Sequence, residues 1–173
     1  MFTTPILAVT LFVATLYCNA QTQQSQKDPL QPLLVLVGSW HGEGSGPYGP
    51  YEYENVIERR GRWIVLRSTI FKPRSDTVFY YSTQVYGYSD KGLTLHLYDT
   101  YGVFEFVGDT SNSGVKFQWR GGESWKRTEM RPTADGRIHA RYDAYEPSMF
   151  KEPVGFEGFW LPGKRIVPTG KSK

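Results

Sequence analysis

The chain has 173 residues, 39% hydrophobic and 16% aromatic, with a formal net charge of +3, which is one domain's worth of sequence with apolar residues enough for a core. A charge so near balance gives no case for a nucleic-acid partner. Cys18 is the single cysteine and falls in a segment expected to be removed, which excludes disulfides, zinc–thiolate sites and thiol nucleophiles from the mature chain.

Residues 1–20, MFTTPILAVTLFVATLYCNA, carry an apolar run over 6–17 followed by Cys18-Asn19-Ala20. That reads as a secretory signal peptide cut before Gln21, although no Lys or Arg precedes the run. The run is short for a membrane span, so no integral membrane segment is expected after cleavage. The expected location is exported, periplasmic or extracellular, which suits a cysteine-free mature chain from a bacterial envelope. Residues 21–27, QTQQSQK, form a polar linker.

A folded domain is expected over 28–162, and a basic flexible tail over 163–173. It opens with a short helix over 29–37, where Asp28 can cap, Pro29 suits the first helical position and Gly38 the stop. From Trp40 onward, β-branched and aromatic runs are punctuated by Gly, Pro, Asp and Ser at intervals of roughly 8–12 residues, the spacing of an antiparallel barrel or sandwich.

In YEYENVIERRGRWIVLRSTIF, Gly61-Arg62 fits a two-residue type II′ turn. That turn sets Arg59 opposite Ile64, Ile57 opposite Leu66, Asn55 opposite Ser68 and Tyr53 opposite Ile70. Charges collect on the other face, so Tyr53, Asn55, Ile57, Leu66 and Ser68 are expected to point inward. In YYSTQVYGYSDKGLTLHLYD, Asp90-Lys91-Gly92 fits a three-residue loop with Gly92 left-handed. That register puts Val85 opposite Leu97 and Gly87 opposite Leu95, with Thr83, Val85, Leu95, Leu97 and Asp99 inward. His96 then falls on the other face, beside Tyr86. Further turns bring the count to about ten strands without a repeat, which an up-and-down barrel closes without exposed edges and with room for one small ligand.

The stretch LVGSWHGEGSGPYGPYEYENVIERRGRWIVLRS resembles the opening of nitrobindin-like and lipocalin-like members of the calycin superfamily, where Leu-x-Gly-x-Trp-x-Gly-x-Gly starts the barrel. YGYSDKG and YDTYGVFEFVG are similar to a related group of bacterial lipocalin-like domains of unknown function. The resemblance covers most of residues 33–160. It implies an all-β, single calycin-like antiparallel barrel with an internal cavity, and no shared chemistry. Trp40 is expected to pack into the barrel floor, with Gly42 and Gly44 admitting a close neighbouring backbone.

The chain has three histidines, His41, His96 and His139. The resemblance to nitrobindins implies haem held by a cavity-facing histidine on a late strand. RIHARYDAY points His139 outward between Ile138 and Ala140, and GFEGFW has no histidine, so no cofactor is expected. No histidine spacing suits a metal. Ser39 and His41 share a strand face but stand about 7 Å apart, too far for a nucleophile–base pair. Asp99 is a candidate buried carboxylate, though strand-end aspartates commonly bond their own turn.

Four functions stay open, one of them the nitrobindin-like haem protein that the resemblance implies. The leading one is a non-catalytic exported barrel holding a small hydrophobic or amphipathic molecule. Its lumen would be lined by Trp40, Tyr53, Asn55, Leu66 and Ser68 on one side and by Thr83, Val85, Leu97 and Asp99 on the other. Another is an enzyme on the same barrel with Asp99 or His41 at the mouth. The third is an interaction module using outer tyrosines among Tyr48, Tyr51, Tyr53, Tyr80, Tyr81, Tyr86, Tyr88 and Tyr98. In a pocket, ligand or water would complete the bonding of Asn55 and Ser68; in a filled core they would bond each other.

Overall fold

Frequent turn residues leave this chain with strands that cannot cover their own apolar faces, and the computed structural model shows how those faces are buried. Residues 28–111 and 114–165 are described; the expected signal peptide (1–20), linker (21–27) and the end of the tail (166–173) lie outside them. In chain order the strands are β1 (Gly38–Gly46), β2 (Gly49–Arg60), β3 (Trp63–Phe71), β4 (Val78–Ser89) and β5 (Gly92–Asp99). They continue as β6 (Gly102–Ser111), β7 (Gly114–Gly121), β8 (Ser124–Pro132), β9 (Ile138–Tyr145) and β10 (Val154–Pro162). Each pairs antiparallel with the next, and β1 pairs with β10, so the described residues form a closed up-and-down barrel. Closure removes the free edges that a ten-strand meander would otherwise present.

The helix expected over 29–37 is a shorter 3-10 turn, Gln31–Leu36. Pro32 cannot donate the i→i−4 bond back to Asp28, whose carbonyl accepts the Gln31 N–H at 2.9 Å instead, and so short a segment does not hold an α-helix by itself. Asp28 does not cap it: the N-cap position is Leu30, which has no side-chain cap bond, and Asp28 Oδ1 instead accepts the Leu30 N–H at 3.0 Å, ahead of the turn. Leu30, Leu33 and Leu36 are buried and close one end of the barrel. Trp40 sits beside them, 7% exposed, and its indole N–H donates to the Leu36 carbonyl at 2.7 Å. Trp40→Phe keeps the ring but strands that carbonyl, and should lower the unfolding free energy by about 1–3 kcal/mol in a denaturant titration. A loss below half of that would show that the ring alone holds the helix to the barrel.

The β2–β3 hairpin has the register its turn dictates. Ile57 faces Leu66, Asn55 faces Ser68 and Tyr53 faces Ile70, with Gly61 at φ 60°. The β4–β5 hairpin does not follow the expected three-residue loop. Ser89 pairs with Gly92 across Asp90-Lys91, so the register moves by one residue: Gln84 faces Leu97, Tyr86 faces Leu95, and Val85 faces His96. In a pleated strand one step reverses every side chain. Thr83 and Val85 therefore point outward, against expectation, and Tyr80, Ser82, Gln84 and Tyr86 point in. Tyr86 is fully buried rather than beside His96 on the surface.

The interior is apolar towards the helix end, where Ile57, Ile64, Leu66, Tyr86, Leu95, Phe106, Phe117 and Met130 are all buried. Along β1 every inward position after Trp40 is glycine, and flat aromatic rings occupy the space. A β-carbon on Gly42 would lie 2.1 Å from the Phe159 carbonyl oxygen, and one on Gly44 would lie 2.4 Å from the Tyr51 ring.

Past β10, the Gly163 N–H bonds the Ser39 carbonyl at 2.8 Å. The Arg165 side chain, 7% exposed, bridges Glu52 at 2.8 Å and Asp76 at 3.0 Å. Its guanidinium also stacks 4.2 Å from the Phe71 ring centroid.

Candidate ligand-binding lumen

A row of polar side chains crosses the inner wall at the middle of the barrel. Asn55 on β2 faces Ser68 on β3, and Ser68 faces Ser82 on β4. Asn55 is 2% exposed and Ser82 4% exposed. Two atoms in this region have no hydrogen-bond partner: the Asn55 side-chain oxygen and the Tyr53 hydroxyl. Tyr53 lies over Gly42 and Gly158, with its hydroxyl 2.8 Å and 3.0 Å from where their β-carbons would be. Buried polar groups in folded proteins are almost always bonded, to protein or to ordered water. Asn55 and Ser68 thus stand opposite each other as the turn dictates, yet the Asn55 oxygen is not satisfied from Ser68.

Above this row, towards the end away from the helix, the lining changes character. Asp99 closes β5, and its Oδ2 accepts the Tyr80 hydroxyl at 2.8 Å. Its Oδ1 accepts the Tyr101 and Gly102 N–H groups at 2.7 and 3.1 Å. Asp99 is a turn-binding aspartate with both oxygens engaged. Burial, then the charge of Asp99, pushes the Tyr80 and Tyr142 phenols well above their usual range. Burial and then the charge of Glu157 push Tyr51 up to about 12. These phenols stay protonated at any physiological pH and present neutral donors.

Lys126 enters the same region from β8, opposite Trp119 of β7 and Ala144 of β9. Its ammonium sits 3.1 Å from the Phe104 ring centroid and 5.8 Å from that of Trp119. Those two rings meet edge to face at 5.2 Å. Desolvation lowers the Lys126 pKa, while the charges of Asp99 and Glu146 act in the opposite sense.

Of the residues read from sequence as lining, the structure brings Trp40, Tyr53, Asn55, Leu66, Ser68, Leu97 and Asp99 to the inner face, and puts Thr83 and Val85 outside. Tyr80, Ser82 and Lys126 also face inward, beyond the residues expected there from the sequence. Lys126 was findable: in WKRTEM the charges Arg127 and Glu129 alternate with Lys126, Thr128 and Met130, and the last of these is core.

All three histidines lie on the outer face. His139 Nε2 sits 2.6 Å from Glu157 Oε1, as an outward His139 allows. His41 pairs in register with Glu54 and His96 with Glu105, both flanked by inward neighbours. The inner wall thus offers no imidazole among the described residues, and it does not fit the haem ligation that the nitrobindin resemblance implies. Asp99 inside and His41 outside stand on different faces of the wall. The tyrosines divide: Tyr51, Tyr53 and Tyr86 are buried, whereas Tyr48, Tyr81, Tyr88 and Tyr98 are exposed. Along β1, β9 and β10, Ser45, Gly46, Arg141, Gly155, Phe156 and Glu157 border a groove of about 260 Å³.

No protein-family model and no curated protein sequence matches the chain. A crystal structure of Rv2717c from M. tuberculosis superposes on it with a TM-score of 0.59, covering 79% of this chain and 98% of that one at 15% identity. At that identity the likeness is one of fold, an antiparallel β-barrel of similar architecture.

Proposed function

We propose that the chain is an exported, calycin-like barrel that binds one small hydrophobic or amphipathic molecule in its lumen without transforming it. The observation that carries this reading is the pair of orphaned polar atoms, the Tyr53 hydroxyl and the Asn55 oxygen, buried just above the apolar half of the barrel. Leaving such a group unsatisfied costs roughly 1–3 kcal/mol, which a filled structural core has every reason to avoid. A ligand hydroxyl, amide or bound water removes that cost, and a mostly apolar lining with a few polar groups is how ligand pockets are made. Asp99 supports no general base, since three donors already occupy its oxygens. Export rests on the apolar run over residues 6–17.

Native mass spectrometry of protein purified from its own host should show a retained small molecule. Asn55→Leu should weaken that retention about tenfold while changing stability by less than about 1 kcal/mol, because an unpaired oxygen is removed along with its desolvation cost. A large loss of stability with retention unchanged would instead make Asn55 a structural residue. Co-purification of a protein rather than a small molecule would favour the exposed strip of Tyr81, Tyr98, Tyr101 and Val103 as an interaction surface.

A further inference from the structure

Lys126 differs from the other cations around it. On the outer face of β8 and β9, Arg127 and Arg141 both bind Asp143, at 2.6 and 3.0 Å, and Arg131 binds Glu129. Lys126 points the other way, into the lumen, and among the described residues no carboxylate lies within ion-pair distance of it. Neither neighbouring acid is spare. Asp99 is held by Tyr80, Tyr101 and Gly102, and Glu146 accepts the Ser148 hydroxyl at 3.0 Å. What supports the ammonium is the face of Phe104, a contact that compensates only part of the hydration lost on half-burial.

We infer that Lys126 holds the head group of the lumen ligand, and that this group is a carboxylate carrying a single negative charge. The inference rests on the lumen reading above and names the ligand class for it. One ammonium neutralises one charge. A dianion such as a phosphate monoester would leave its second charge facing Asp99 and Glu146 in a site of low polarisability. The apolar body of the ligand has Phe104, Trp119 and Leu97 to lie against. In the ring of ten strands β8 and β2 stand four steps apart, so Lys126 faces the Tyr53–Asn55 region across the lumen rather than along one wall. A molecule anchored at Lys126 therefore reaches towards the two orphaned atoms, which a second polar group or a trapped water would satisfy.

The test uses the full chain and defined probes: decanoate, decanol and decyltrimethylammonium, titrated by calorimetry or by intrinsic tryptophan fluorescence at low salt. Decanoate should bind about tenfold or more tighter than decanol, as a charge-assisted hydrogen bond provides. Lys126→Gln should abolish that preference while leaving decanol affinity within about twofold, and Lys126→Arg should restore most of it. If decanol binds but decanoate gains nothing, or keeps its advantage in Lys126→Gln, the head-group assignment fails and lumen binding stands. Tighter binding of the ammonium probe would likewise overturn it, making Phe104 and Trp119 a cage for cations. If no probe binds, the lumen reading falls with it.

Discussion

Gly42→Ala should destabilise the barrel by about 3 kcal/mol or more, the upper end of what overpacking costs, with a denaturation midpoint well below that of the native chain. The cause is steric alone. Gly42 does not have the positive φ that would make any side chain strained, yet its added methyl would meet the Phe159 carbonyl oxygen at 2.1 Å and the Tyr53 hydroxyl at 2.8 Å. A ring hydroxyl can swing aside; a carbonyl in the closing β1–β10 ladder cannot, because moving it separates the strands that seal the barrel. Removing the movable clash should therefore help little: adding Tyr53→Phe to Gly42→Ala is expected to recover less than about 1 kcal/mol. Ser45→Ala, on the outer face of the same strand, serves as the comparison and should be close to neutral. A Gly42→Ala protein within 1 kcal/mol of the parent would mean the seam relaxes freely, and the glycine-lined wall would need another explanation.

That wall also shows why much of the fold could be read from sequence. Glycines at alternate positions 42, 44 and 46 with Trp40 before them signal a strand whose inner face is covered by someone else's rings, and Tyr51, Tyr53 and Phe156 are those rings. The Gly61-Arg62 turn was unambiguous because the strands it joins separate their charges cleanly: Glu54, Glu58 and Arg67 on one face, Ile57 and Leu66 on the other. β4 offers no such contrast. Its inward face is Tyr80, Ser82, Gln84 and Tyr86, and its outward face Tyr81, Thr83 and Val85, so the more polar set lies inside. Alternation of hydrophobicity then favours the wrong face, and the length of one loop decides everything. Counting Gly92 into that loop instead of pairing it with Ser89 displaced Thr83 and Val85 from the outer wall to the inner one. The inversion is informative in its own right. A strand that turns serine and glutamine inward and half-buried valine outward gives up transfer free energy on both faces, and the proposed polar contact with a ligand would offset it.

The histidines were legible for the same reason that β4 was not. Around His96 and His139 the neighbours are apolar on one face, Leu95 and Leu97 in the first case, Ile138 and Ala140 in the second, and alternation alone turns each imidazole out. Lys126 escaped because a single charged residue on an inward face runs against the ordinary rule that charges face water. It becomes visible only when its neighbours Arg127 and Glu129 are recognised as the outer face of β8 and Met130 as core.

Phe117→Ala is expected to cost about 3–5 kcal/mol, the range for truncating a buried aromatic ring, and a large fraction of the stability a domain of this size has. Phe117 has no exposed surface. Its ring stands 5.3 Å from that of Tyr86, and it lies over Gly108 of the neighbouring strand, where a β-carbon would fall 2.5 Å from it. The cavity left by its loss cannot close from the Gly108 side, since glycine has no side chain to move in. Nor can it close from Tyr86, whose hydroxyl is tied to the Gln84 side chain at 2.6 Å. The surroundings are therefore held open, and the cavity contribution should be near the top of its range. Phe117→Leu keeps most of the volume and should lose roughly half as much, while the spacing between the two midpoints reports how rigid the Tyr86–Gln84 pair is. The floor of the barrel and its polar upper half make separate demands, so Phe117→Leu should also leave decanol binding within about twofold of the parent. A parallel collapse of stability and binding would show instead that the ligand lies deep, against Phe117 itself, and would move the site from the mouth to the floor.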